Sequence, residues 1–303
     1  MADDAAGFLA GITTVVLWGT AFVGIRAAGE TLAPGSITLG RLLVSCAVLS
    51  GVALARRECL PGPAALVRIA VFGLVFLAGY SVLLNVAERR VDAGTSAMVV
   101  NTGPLLIALL SGVFLDEGFP RRLLLGCCVA LAGCVLIGLA TARDGRHSTT
   151  GVALLAIAAA AYASGVVVQK TALRHATAFQ VTWLGCVAAT FACLPLAPML
   201  AAGVSHSGVR ALVWTAYLGA MPTALGFATW SFALARADAG RVASLNYLIP
   251  VVAIALGWAY LGERPALPAV AGGALCLGGI YLARRRQGAF RSRAARGASL
   301  DNR

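Results

Sequence analysis

Apolar runs of roughly 20 residues, separated by short clusters of charge, recur along the chain, and this spacing constrains the fold more than any single motif. A helix of that length crosses a hydrocarbon core of about 30 Å. Ten such runs lie near 8–28, 34–55, 65–86, 93–114, 122–141, 151–169, 178–200, 209–234, 239–260 and 266–283. They are apolar on all sides and rich in Gly, Ala and Leu, so they read as helices. Strands of a membrane barrel would instead alternate apolar and polar positions. With 59% hydrophobic and 12% charged residues, a water-soluble domain of 303 residues is excluded. The expected fold is an all-α integral membrane protein of ten transmembrane helices.

The net charge of +12 does not mark a nucleic-acid partner, because the basic residues are spread over loops and a tail. Arg284, Arg285, Arg286, Arg291, Arg293 and Arg296 follow the last apolar run directly, where a polybasic segment meets anionic membrane lipid. Placing the N-terminus inside puts sixteen basic residues on the cytoplasmic side and seven on the other, so both termini are expected in the cytoplasm of a multi-pass inner or plasma membrane protein. The tail decides this orientation. Asp3 and Asp4 replace the basic start of a signal peptide, and the first run reads as a retained span. Cys46, Cys127, Cys128, Cys134, Cys186, Cys193 and Cys276 fall inside apolar runs without a CxxC or clustered His, so they read as packing residues; no metal site and no cofactor is expected.

The chain repeats itself. With a shift of 146 residues and no gap, Arg90, Asp92, Ala93, Gly94, Ala97, Pro104, Leu115, Glu117, Gly126, Leu131 and Gly133 face Arg236, Asp238, Ala239, Gly240, Ala243, Pro250, Leu261, Glu263, Gly272, Leu277 and Gly279. Nearer the start the shift becomes 144, and Trp18, Thr20 and Arg26 face Tyr162, Ser164 and Lys170. The expected organisation is a first five-helix repeat at 1–142, a loop at 143–150, a second repeat at 151–283 and a basic cytoplasmic tail at 284–303. Five is odd, so the second half enters the membrane in the opposite sense. Transporters use such inverted repeats to alternate access around one central site.

Each half carries a small-residue helix start, a mid-helix Pro, an acidic helix end and a Gly-rich following helix: DAGTSAMVVNTGPLLIALLSGVFLDE with GCCVALAG, and DAGRVASLNYLIPVVAIALGWAYLGE with GGALCLGG. With WGTAF in the first run and Arg41 in the second, the chain resembles the drug/metabolite transporter superfamily and its EamA-type members over nearly its whole length. The resemblance implies ten helices and the movement of metabolites, amino acids or drugs, commonly outward.

Arg41 is the ionisable residue placed well inside an apolar run, where it costs about 2.5 to 3.5 kcal/mol on insertion scales and therefore seeks a polar cavity or a partner. Two readings stay open, a counter-charge for a substrate carboxylate and a structural Arg bonded to carbonyls. Its counterpart, Gly185, is uncharged. Pro104 and Pro250 free backbone carbonyls in mid-membrane, with Asn101, Asn246 and Tyr247 within a turn of them, either lining a cavity or joining helices. Trp18, Phe22, Tyr80, Tyr162 and Trp230 sit inside runs and are candidates to wall a substrate pocket, as against packing, and the matched pair Thr20 and Ser164 completes the candidate substrate-binding set. Glu117 and Glu263 close their helices and are expected to cap them or to pair with Arg121, Arg122 or Arg264.

No GxxxxGK[ST] occurs, and no carboxylate or His lies well inside a run, which favours gradient-driven export or exchange over ATP hydrolysis. His147, His175 and His206 are scattered over loops without an HExxH or GxSxG context, so catalytic residues are not expected. The expected function is export of small metabolites, such as amino acids and derivatives, amphiphilic drugs or secondary metabolites, by alternating access at a cavity between the repeats. A channel or scaffold and a polytopic membrane enzyme are the alternatives. The small-residue pairs Gly126 with Ala130 and Ala274 with Gly278 suit helix packing or a homodimer.

Overall fold

The computed structural model describes residues 2–88, 90, 99–141, 149–252, 255–256 and 267–284. Glu263, residues 143–148 of the expected inter-repeat loop and the basic tail beyond Arg284 lie outside the described residues, as do a few side chains within helices, Phe22 among them. Every regular element among the described residues is helical.

The chain begins with α1 (Ala2–Gly29) and α2 (Pro34–Ala55). The third rod, α3, runs as an α-helix over Pro63–Phe72, a π-helix over Gly73–Tyr80 and an α-helix over Ser81–Glu88. Then come α4 (Gly103–Phe114), α5 (Arg121–Thr141) and α6 (Thr149–Ala172). Helix α7 joins Ala178–Cys193 to Ala197–His206 through a 3-10 turn at Leu194–Leu196, and α8 joins Val209–Leu218 to Gly226–Arg236 through a π-helix at Gly219–Leu225. Helix α9 starts as Ala239–Ser244 and tightens to a 3-10 helix over Leu245–Leu248, and α10 spans Leu267–Arg284.

Local chemistry sets several of these ends. Pro34 and Pro63 occupy first turns, where a missing N–H costs nothing. At α7 the Thr177 hydroxyl accepts from the Gln180 amide at 3.1 Å while the Gln180 side chain accepts from the Thr177 amide at 3.0 Å, a reciprocal cap. The same Gln180 side chain donates to Cys59 O at 2.8 Å and ties the α2–α3 loop to the start of α7.

Among the described residues five helices are long and apolar enough to cross a membrane: Pro34–Ala55, Pro63–Leu84, Thr149–Ala172, Ala178–His206 and Val209–Arg236. Ala5–Ala21, Gly103–Phe114 and Val270–Ala283 are shorter apolar helices. The exterior is apolar as well. Ile157, Phe191 and Val213, all within helices, are 55%, 68% and 60% exposed, an arrangement that lipid tolerates and water does not. The chain is therefore a membrane protein.

Segments from the two ends of the chain interlock. Helix α1 packs on α8 and α6 on α3, while α2 lies against α7 and α8, α4 against α6 and α9, and α5 against α10. Ser36 Oγ donates to Met199 O at 2.9 Å and Trp183 Nε1 donates to Ser50 Oγ at 2.9 Å, so α2 and α7 run antiparallel. The α5–α10 contact is the closest. A Cβ on Gly126 would stand 2.5 Å from Gly279 O, and one on Gly133 would stand 2.5 Å from Gly272 O, so glycine is required for this approach. Residue numbers rise along α5 as they fall along α10, which makes this pair antiparallel too. Gly126 and Ala130 thus face α10 of the same chain, whereas Gly278 looks onto open space.

Glu117 does not pair with Arg121 or Arg122. Its carboxylate accepts from the amides of Ala239 at 2.8 Å and Gly240 at 3.4 Å, capping the start of α9 from the end of α4. Beside it, Lys170 Nζ donates to Ala237 O at 2.7 Å and to Leu234 O, binding carbonyls at the end of α8. Two charged side chains therefore clamp the α8–α9 turn through its backbone.

Candidate functional site

The centre of the molecule is built where the two π segments meet α1, α2 and α6. A π-helix carries a wider turn than an α-helix, which re-aims side chains and loosens the i→i−4 ladder. Each begins at a glycine pressed against another helix. A Cβ on Gly73 would lie 2.5 Å from Gly185 O on α7, and one on Gly219 would lie 2.7 Å from Arg41 O on α2. These starts are matched positions of the repeat, and so are the residues they touch.

Arg41 is half-buried, and its Nε donates to Thr223 Oγ1 at 3.0 Å. Thr223 in turn donates to Leu218 O at 2.7 Å, so the π segment of α8 anchors the guanidinium. Among the described residues no carboxylate pairs with Arg41, and Thr223 uses only one donor of its fork. The second half has no such charge because the matched space at Gly185 is filled by the Phe72 ring, 2.6 Å from where a Cβ would stand.

The π segment that holds Arg41 through Thr223 also tethers, at the neighbouring Pro222, one end of a continuous aromatic wall. Tyr80 stands 5.7 Å from Tyr162 and 5.8 Å from Phe76, and Phe76 lies 4.8 Å from Tyr162 and 5.5 Å from Phe227. Trp18 continues it at 5.1 Å from Phe227 and 5.4 Å from Trp230. These tilted and edge-on contacts use the favourable quadrupole geometry of aromatic pairs. The wall is also tethered. Trp18 Nε1 donates to Pro222 O at 3.1 Å, a carbonyl within the π segment. Trp230 Nε1 donates to Gln169 Oε1 at 3.0 Å, Gln169 Nε2 donates to Ser231 Oγ at 2.9 Å, and Ser231 shares a hydrogen bond of 2.7 Å with Thr182. Trp230 is 1% exposed, so it seals the wall from behind.

The helix break before Pro250 supplies polar atoms. Asn246, in the 3-10 segment, donates its Nδ2 to the Tyr162 hydroxyl. Its Oδ1 and the Tyr247 hydroxyl are buried without a hydrogen-bond partner among the described residues. Such groups cost about 1–3 kcal/mol each, so they mark places where an external polar group would be gained. Pro104 occupies the first turn of α4, after a turn at 101–102 that contains Asn101, and Thr102 satisfies Val99 O through its hydroxyl at 2.6 Å.

The expected residues thus separate by place. Trp18, Tyr80, Tyr162 and Trp230 come together in one cluster, Asn246 joins it through Tyr162 and Arg41 is held by Thr223 next to Pro222, which Trp18 bonds, while Tyr247 packs in the adjoining α4–α5–α10 cluster and Asn101 sits half-buried ahead of α4. Thr20 shares a hydrogen bond of 2.7 Å with the Tyr217 hydroxyl at the α1–α8 contact. Ser164 is exposed and bonded to Ala160 O of its own helix at 2.8 Å, one turn-face away from Tyr162. Phe76, Phe227, Thr223 and Gln169 escaped the sequence reading. For Gln169 and Thr223 the signal was available, since each is a polar side chain inside an apolar run.

Comparison with known proteins agrees with this architecture. The EamA-like transporter family matches residues 5–139 and 149–285. The chain is similar to a protein named probable terminal-alkyne amino-acid exporter from Streptantibioticus cattleyicolor, 33% identical over 283 residues covering 91% of this chain and 92% of that one. It is also similar to a probable amino-acid metabolite efflux pump of Salmonella typhimurium, 27% identical over 287 residues, 91% and 93% of the two chains. A solved crystal structure superposes with a TM-score of 0.80 at 23% identity over 92% of this chain and 97% of its own, which shows the shared fold. With both parts of its length matched, this chain belongs to the EamA-like transporter family.

Proposed function

We propose that this transporter exports small metabolites bearing a carboxylate and an apolar or aromatic side chain, such as amino acids and their derivatives. The observation that carries this reading is Arg41, bonded among the described residues only to Thr223, on the π segment whose next carbonyl, Pro222 O, tethers Trp18 of the aromatic wall. A guanidinium fork matches a carboxylate, the wall matches an apolar side chain, and the unpartnered Asn246 Oδ1 matches an ammonium donor. The names of the relatives from Streptantibioticus and Salmonella point the same way.

The substrate moves by alternating access between two inverted five-helix repeats, 1–142 and 151–283, giving ten spans in the cell membrane with both termini in the cytoplasm and the basic tail at 284–303. The antiparallel packing of α5 on α10, matched helices of the repeat, supports an axis in the membrane plane. Export runs down the substrate gradient or by exchange.

The deciding experiment is counterflow in proteoliposomes loaded with an unlabelled aromatic amino acid and supplied with the labelled one. Transient accumulation that saturates, and that is lost with Arg41→Gln at equal protein incorporation, is the expected result. Non-saturable equilibration would identify a channel instead.

A further inference from the structure

Away from the central site, an apolar groove of 360 Å³ opens on the outside of the molecule between α2, α7 and α8. Val48, Val52, Leu225 and Ala228 form its sides, and Phe179 and Phe232 stand in its lining. Val48 and Leu225 are 43% and 42% exposed within it, so it faces the surrounding medium rather than the aromatic wall. Arg56, which ends α2, also lines the groove and places its guanidinium 5.5 Å from the Phe179 ring centre. Arg236, which ends α8, lies 3.4 Å over the Phe232 ring. Among the described residues neither guanidinium is paired with a carboxylate.

We infer that this groove is a binding site for an anionic phospholipid, one acyl chain lying between α2 and α8 and the phosphate resting between Arg56 and Arg236. The medium around a membrane helix is lipid, so a concave apolar face exposed there is filled by hydrocarbon. The two cations select among lipids. Lying over rings that line the groove, they are held in place, Arg236 also through Nη1 donating to Phe232 O at 3.3 Å, and their remaining donors suit phosphate oxygens. A zwitterionic headgroup would bring its own cation against them. This rests on the chain's place in the bilayer and not on the transport reading above.

Native mass spectrometry of the full chain, released from micelles holding equal amounts of phosphatidylglycerol and phosphatidylcholine with matched chains, tests it. The expected result is preferential retention of phosphatidylglycerol, falling about thirtyfold in Arg56→Gln/Arg236→Gln, as two lost membrane-proximal cations imply. Ala228→Leu, which fills the groove with both arginines intact, lowers retention too. Arg121→Gln/Arg122→Gln removes the same charge elsewhere and leaves retention unchanged. Equal retention of the two lipids, or an equal loss with the Arg121 and Arg122 variant, would overturn the proposal. So would a dimer that Ala228→Leu dissociates, since it would assign the groove to a second copy.

Discussion

Cys276 donates its thiol to the carbonyl of Ala130 at 3.4 Å, and these two residues are counterparts under the 146-residue shift. Around this point the partners exchange symmetrically: Gly126 meets Gly279, and Gly133 meets Gly272. The α5–α10 crossing therefore has the self-complementary form of an isologous interface, made within one chain.

That crossing is open to chemical trapping, because Cys134 and Cys276 have their sulfurs 3.6 Å apart. In a variant keeping only these two cysteines, with a protease site inserted in the 143–150 loop, mild oxidation is expected to leave the cleaved halves joined on a non-reducing gel. Separation of the halves after oxidation would place these helices apart.

Glycine at the crossing is a steric requirement, and the prediction is position-specific. Gly133→Val forces a side chain against the backbone of α10 and is expected to cost about 1–3 kcal/mol, as overpacking does. Gly278→Val, one helix face away in open space, is expected to leave the thermal midpoint of the purified protein unchanged. Equal midpoints for the two variants would remove the close approach.

For the central site, Arg41→Gln is expected to lower export of carboxylate substrates at least about tenfold, the size of a lost charge-assisted hydrogen bond, at unchanged membrane abundance. Thr223→Val keeps the charge but releases its anchor, so a smaller fall, seen mainly in apparent affinity, is expected. Unchanged transport of carboxylates by Arg41→Gln would assign the residue a structural role.

Gln169 makes the opposite case. Gln169→Leu preserves volume but strands Trp230 Nε1 in the interior and leaves Ser231 with Thr182 alone, so unfolding in detergent is expected to become easier by about 1–3 kcal/mol. Apparent substrate affinity is expected to hold in the protein that remains folded. A changed affinity with normal stability would instead bring Gln169 into the site.

That the chain is helical and apolar enough for a membrane, and that its backbone breaks near Pro104 and Pro250, were readable in the chain alone, because bilayer thickness and backbone chemistry act locally on sequence. Helices occupy the stretches between Pro34 and Ala55 or Thr149 and Ala172 that hydropathy marks out. Facing was another matter. In water a helix announces its inner face by polar residues on the other side, but in lipid both faces are apolar and the pattern carries no direction. Hence Ser164, matched to Thr20, turned outward while Tyr162 turned in. Glu117 found the amides of Ala239 and Gly240 rather than the arginines beside it in sequence. The π segments that aim Phe76 and Thr223 at the centre arise where Gly73 and Gly219 meet a neighbouring backbone, a contact between distant parts of the chain. Span and break belong to the sequence; which side chains meet Arg41 and Tyr162 was decided by packing, because only the assembled helices determine what each face touches.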